Sequence, residues 1–160
     1  MSKYKLRLND QSIDQLLSDL KAYREKVKKA PESMVHKLTE QGVSFAKQNA
    51  AYMNIYDSGD LVNGIDSEYK GKAEAVVAST AEHSAFCEFG TGVVGAGDSH
   101  PNPPPGWKYD SNNHGEDGWW YYNKDGERRW TKGMPARPYM YDTAKMMRKE
   151  IIPTAKEVLK

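Results

Sequence analysis

The chain reads as an α+β protein, and three features say so. Residues 13–46 space their apolar side chains at helical intervals. Residues 65–89 alternate short β-favouring runs with turn residues. Residues 144–151 return to helical spacing. The expected architecture is an antiparallel sheet packed against a long N-terminal helical region and a C-terminal helix. A long aromatic β-hairpin insertion is added to it.

The elements follow in order. Tyr4, Leu6 and Leu8 alternate with Lys5 and Arg7, which predicts a short strand. Ser12 with Gln15 three positions on has the form of a capping box. Ile13, Leu16, Leu17, Leu20 and Val27 then keep helical spacing, with charged residues on the far side. Pro31 ends or kinks that helix. A second helical pattern runs through Met34, Val35, Leu38, Phe45 and Ala46, so the region is an angled pair or one kinked helix. Asp57-Ser58-Gly59-Asp60 is a turn. Residues 65–69 and 73–78 read as strands joined through Lys70-Gly71-Lys72, and residues 86–89 as a third strand ended by Gly90-Thr91-Gly92.

Periodicity is lost over residues 93–118, where Gly, Pro, Asn, Asp and Ser dominate. Pro103-Pro104-Pro105 favours extended backbone there. All four tryptophans fall between Trp107 and Trp130. Residues 119–123 and 128–131 flank Lys124-Asp125-Gly126-Glu127, and an Asp-Gly pair between aromatic runs is a strong hairpin signal. Asp142 is placed to cap a last helix with Ala144, Met147 and Ile151 on its apolar face. Pro153 should kink or restart it. The reading is one domain, 1–160, with an insertion at 93–133.

Composition excludes several classes. Lysine and arginine number 23 against 22 acids, a formal charge of +1, which gives no general field for gripping DNA. No run of apolar residues is long enough for a membrane span, and the polar start is not a secretory signal. Cys87 is the sole cysteine and cannot form an internal disulfide.

Candidate chemistry is thin. On a strand Cys87 and His83 would share a face, the minimum for a cysteine nucleophile. A cysteine in an apolar aromatic segment is more simply a small buried hydrophobe. His36, His83, His100 and His114 are scattered, without the pairing a zinc site needs, and His100 and His114 read as solvated loop residues. Glu116 and Asp117 lack the ligand spacing of a calcium loop. The glycines at 90, 92, 95 and 97 lack the lysine of a phosphate loop. Lys21, Arg24, Lys26, Lys28 and Lys29 are interspersed with acids and have no aromatic ladder for bases. No enzyme, metal or cofactor is expected.

The remaining signal is structural. Gly90 and Gly92 permit a sharp strand end and close approach of another chain. Glu88 beside them can accept backbone N–H groups and pin the loop. Pro135 and Pro138 stiffen the return path, and Tyr139 anchors it on the core. Trp119, Trp120, Tyr121, Tyr122 and Trp130 carry large apolar area, with Trp119 and Tyr121 on one hairpin face and Trp120 and Tyr122 on the other. Alternate rings are expected to cover the protein's own sheet, and the rest to make a protein–protein contact.

Three motifs in order resemble a family. Phe86-Cys87-Glu88-Phe89-Gly90-Thr91-Gly92 resembles the aromatic-x-Glu-Phe-Gly-Thr signature of phage tail-completion or head–tail joining proteins. These are the gene-product-ten-like proteins of lambda-type long-tailed phages. Met134-Pro135-Ala136-Arg137-Pro138-Tyr139-Met140 is similar to that family's segment before the last helix. Asp57-Ser58-Gly59-Asp60-Leu61 resembles its turn into the first sheet strand. His83 and Cys87 depart from it, standing where the family often has an aromatic and a valine.

The resemblance implies a virion protein that assembles in the host cytoplasm. It would form a ring, commonly hexameric, that closes the tail and docks on the head. The implied partners are further copies of itself, a head connector or stopper protein and the tail tube protein, with DNA only passing through. The implied interface and structural residues are Glu88, Phe89, Gly90, Thr91, Gly92, Trp119, Trp120, Trp130, Pro135, Arg137, Pro138 and Tyr139. A rival resemblance is confined to residues 118–126, which look like one repeat of the choline-binding or cell-wall-binding modules of Gram-positive bacteria. Such modules stack several copies, and this chain has one.

Overall fold

The structure, a computed structural model, describes residues 10–55 and 59–160. The strand expected at 4–8 and half of the turn expected at 57–60 lie outside them.

The N-terminal helical region is one helix, α1 (Asp10–Tyr52), with Pro31 inside it. Ser12 therefore lies within a helix already under way at Asp10 and does not start it. Pro31 removes one helical hydrogen bond, but Pro31 and Val27, whose carbonyl loses its partner, are both exposed, so water replaces the bond. The same holds for Pro153, which sits in α5 (Tyr139–Leu159) without interrupting it. Asp142 lies in the first turn of α5 rather than capping it, because the helix starts three residues earlier.

After the short α2 (Asp60–Asn63), β1 (Ile65–Gly71) and β2 (Glu74–Ser79) form the expected antiparallel hairpin. Ile65 pairs with Ser79 and Tyr69 with Ala75, and the register shifts between Tyr69 and Gly71. The segment expected as a third strand is instead helix α3 (Ser84–Phe89). Its amides bond backward, Cys87 N–H to His83 O at 3.1 Å and Gly90 N–H to Phe86 O at 2.9 Å. Helix α4 (Gly92–Gly97) follows, at the start of the stretch where no periodicity is read. The aromatic hairpin is present as β3 (Trp119–Tyr122) and β4 (Arg128–Thr131), a sheet of its own, followed by the two-residue β5 (Gly133–Met134).

Helices α1 and α5 are antiparallel. Asn49 bonds to Thr143 Oγ1 at 3.0 Å, Gly42 lies against Met147, and Lys37 pairs with Glu157. Small residues make the approach possible. Gly42, Ala46 and Ala50 recur every four positions, on one helix face, and all three are buried. The core gathers Ala46, Ala50, Ile55, Leu61, Ile65, Cys87 and Tyr139 between these helices and the β1–β2 hairpin. His36 stacks on Tyr69 at 4.5 Å and ties α1 to the outer end of β1. The described residues thus form the α+β arrangement expected, with helices on an antiparallel sheet.

Tyr139 is 1% exposed, and burial pushes its hydroxyl from the ordinary 10.0 up to about 12. Between those values the unfolded chain has lost a proton that the folded chain keeps, so stability falls as pH rises. Tyr139→Phe should flatten that decline. Urea midpoints taken from pH 10 to 12 test it, and equal slopes in both proteins would show that this hydroxyl does not govern the alkaline limb.

Candidate functional site

The motif that begins at Phe86 forms a junction where three parts of the chain meet. Helix α3 ends at Gly90, whose φ of +80° is open to glycine. Beyond it Thr91 and Gly92 bridge to Met134 and Gly133. The contact is so close that a Cβ on Gly133, at φ +101°, would fall 1.9 Å from the Thr91 carbonyl oxygen. The close approach read from these glycines is real, and the approaching strand is the chain's own return segment. Met134 N–H donates to Thr91 Oγ1 at 3.2 Å, and Arg137 N–H to Cys87 O at 2.8 Å.

Glu88 is the centre of the junction and is 6% exposed. Its Oε2 accepts the Met140 N–H and its Oε1 the Tyr141 N–H, each at 2.9 Å. These are amides of the first turn of α5, which have no partner within the helix. Pro138, at the N-cap position, has no side-chain acceptor to offer, so a carboxylate fifty residues upstream takes that role. Glu88 pins a helix start rather than its own loop.

The third donor to Glu88 corrects the reading of His100 as a solvated residue. His100 is 4% exposed, and its Nε2 lies 3.1 Å from Glu88 Oε1. Its Nδ1 accepts the Asn102 N–H at 2.9 Å, so the proton sits on Nε2 and the ring is the neutral tautomer. Phe89 and Tyr141 meet the imidazole edge-on at 4.9 and 5.1 Å. A buried carboxylate needs donors, and the histidine is buried because it is one.

The insertion folds back on this junction before it leaves it. Trp107 packs against Phe89 at 5.0 Å and donates its indole N–H to Gly90 O at 3.2 Å. Gly92 N–H donates to Tyr109 O at 2.6 Å. Asp110 closes the next turn by accepting from Gly115 N–H and His114 Nδ1. Backbone N–H groups around His114 and Gly115 hold its carboxyl below the usual range. An open cavity of about 260 Å³ lies here, lined by His83, Phe86, Thr91, Tyr109, Asp110 and Trp119 among others. Cys87 does not line it and is 5% exposed, in the core cluster. Among the described residues no three His, Cys, Asp or Glu side chains gather as a metal ion would require.

The aromatic hairpin extends from this base. Asn123 organises its tip, accepting the Asp125 and Glu127 N–H groups on Oδ1, while Gly126 takes φ +76°. Trp120 lies directly opposite Trp130 with ring centroids 5.2 Å apart, and the Arg128 guanidinium sits 4.5 Å over Trp120. Trp119, on the other face, stacks on His114 at 4.4 Å. The rings do not cover the β1–β2 hairpin as expected, because the aromatic strands form a separate sheet. Trp120, Tyr121, Tyr122 and Trp130 are between 45% and 73% exposed.

The structure thus brings Glu88, Phe89, Gly90, Thr91, Gly92, Pro135, Arg137, Pro138 and Tyr139 into one junction. Trp119 lies at its edge, and Trp120 and Trp130 stand away from it. Sequence reasoning missed His100 and Trp107 as members. Nothing local marks His100, whereas Trp107 had the signal of a large ring in a segment with no periodicity of its own.

Residues 14–90 match the family model described as "Bacteriophage HK97-gp10, putative tail-component". The matched span runs from α1 through both strands of the first hairpin and ends at Gly90 in the junction. The likeness read from the motifs is therefore shown over that part of the chain. No curated protein and no solved structure matches.

Proposed function

From this match of residues 14–90 to a phage tail-component family, we propose that the protein is a non-catalytic subunit of a ring at the head–tail joint of a tailed bacteriophage. The ring closes the tail, meets the tail tube on one side and a head connector or stopper on the other, and lets DNA pass. The observation that carries this reading beyond the family is the aromatic hairpin. Its base is tied to the junction, while the face bearing Trp120, Tyr122 and Trp130 is turned to solvent. A ring needs heterologous contacts, a patch on one subunit meeting a different patch on the next, and large aromatic rings dominate such contacts. Burial of Cys87 and the scaffold use of Glu88 and His100 support a role without catalysis or cofactor.

The wall-binding alternative fits less well. An aromatic cage holds a cation on its ring faces, and here Arg128 of the chain itself already lies over Trp120.

Electron microscopy of lysates from a phage lacking this gene tests the proposal. Filled heads beside separate tails are expected, with tails of irregular length if the ring sits on the tail end. Intact particles that fail only in lysis or wall attachment would overturn it.

A further inference from the structure

The N-terminal half of α1 extends beyond the last turn of α5. Helix α5 runs antiparallel to α1 and reaches its last turn at the level of Lys37, where Glu157 pairs with it. Residues 10–33 therefore run past the end of α5 over about 35 Å at 1.5 Å per residue. This projecting part carries an apolar stripe. Ile13, Leu17, Leu20, Tyr23 and Val27 are between 41% and 58% exposed.

The stripe has a period. Ile13, Leu20 and Val27 are seven apart, and so are Leu16, Tyr23 and Ala30, with alternating steps of three and four. That is the a/d pattern of a coiled coil, a repeat that keeps one seam facing a partner helix. Leu17, beside the seam, widens it, which suits a helix flanked by more than one neighbour. The charged residues are ordered around it. Lys21, Lys28 and Lys29 stay on the outer face. Glu25 pairs with Lys28 of its own helix at 2.7 Å. Asp19 and Arg24 border the seam on opposite sides, five residues apart, the g-to-e′ spacing at which parallel, in-register helices exchange ion pairs. Asp19 accepts one Gln15 amide proton at 2.9 Å and retains acceptor capacity for a guanidinium.

We propose that residues 13–30 of α1 are a self-association seam, occupied by the same segment of a second copy of this chain, parallel and in register. Each Asp19 then faces Arg24 of its neighbour. The direction rests on the ring reading, since rotation about the ring axis gives helices that run along that axis the same direction. The seam itself rests on its own spacing and charge order. The helix is already nucleated by its packed C-terminal half, so pairing does not carry the nucleation cost that makes short isolated helices unstable. Three heptads are few, so association is expected to be weak in dilute solution and to strengthen as copies are gathered.

The test is sedimentation equilibrium of the full chain up to millimolar concentration, with Leu20→Asp, Asp19→Arg, Arg24→Asp and the double exchange Asp19→Arg/Arg24→Asp. Circular dichroism and thermal melts check that each variant folds, as expected for substitutions outside the core. Concentration-dependent association is expected for the parent protein and should be lost in Leu20→Asp. Each single charge reversal should weaken it by about tenfold, and the double exchange should restore it. Rescue of Asp19→Arg by Lys26→Asp in place of Arg24→Asp would indicate antiparallel pairing and overturn the proposal as stated. A parent protein that stays monomeric throughout would also overturn it, whether another protein or residues 1–9 cover the stripe. An oligomer unchanged in Leu20→Asp would overturn the seam while leaving the ring intact.

Discussion

Glu88→Ala should lower stability by about 3–5 kcal/mol, the cost of removing one side of a buried charged network and leaving its donors unmet. Three donors lose their acceptor together, namely the Met140 and Tyr141 amides and His100 Nε2. The amides sit at the positive end of α5, where a negative partner is worth most. For a domain of this size the expected fall in Tm is about 6–20 °C. Glu88→Gln is the sharper variant. It keeps the volume but replaces one acceptor oxygen by an NH₂ group that must face a donor, so about 1–3 kcal/mol should be lost. Hydrogen exchange locates the effect, since protection of the Met140 and Tyr141 amides should fall before that of β1 and β2. A loss below about 1 kcal/mol in Glu88→Ala would mean that water satisfies the start of α5 and that the junction is not organised by this carboxylate.

Gly133→Ala should be nearly as damaging, at about 3 kcal/mol or more, for a different reason. At φ +101° the backbone is strained for any side chain. The added carbon would lie 1.9 Å from the Thr91 carbonyl oxygen and 2.5 Å from its carbon, both backbone atoms that cannot rotate away. The strand at 133–134 must then separate from Thr91 and Gly92, taking the Met134-to-Thr91 hydrogen bond with it. Gly126→Ala is the matched control. It also has positive φ, +76°, but nothing within 4 Å of the new carbon, so it should cost only the left-handed penalty of about 1–2 kcal/mol. Equal melting temperatures for the two variants would show that the Thr91–Gly133 contact yields more readily than its geometry implies.

What could be read in advance divides by range. Helices α1 and α5 and both hairpins declare themselves through periodicity and turn residues, which are local signals. Helix α3 reads as a strand in the sequence because six residues with two phenylalanines give too little period to separate helix from strand. Helix α4 contains three glycines and is held by Gly92 N–H donating to Tyr109 O, Val94 N–H to Lys132 O and Ala136 N–H to Asp98 O at its C-cap, which no local rule anticipates. The site divides the same way. Glu88 could be named as an acceptor of backbone N–H groups because it stands beside a glycine turn. Its actual targets lie fifty residues on, and His100 enters only because the fold brings it there. Tyr139 was legible as an anchor since prolines restrict the path that delivers it.

The packing of α5 against α1 also sets an order of events. Ninety residues separate Asn49 from Tyr139, its partner across that interface. Until α5 has been synthesised, Ala46, Ala50 and Ile65 lack the ring that closes over them, and Glu88 has no helix to cap. The residues before α5 therefore hold an open apolar surface until that helix arrives. Closure of so long a loop is slow compared with forming either hairpin. Folding of the N-terminal portion is thus committed by the arrival of the helix that lies outside the family-matched span.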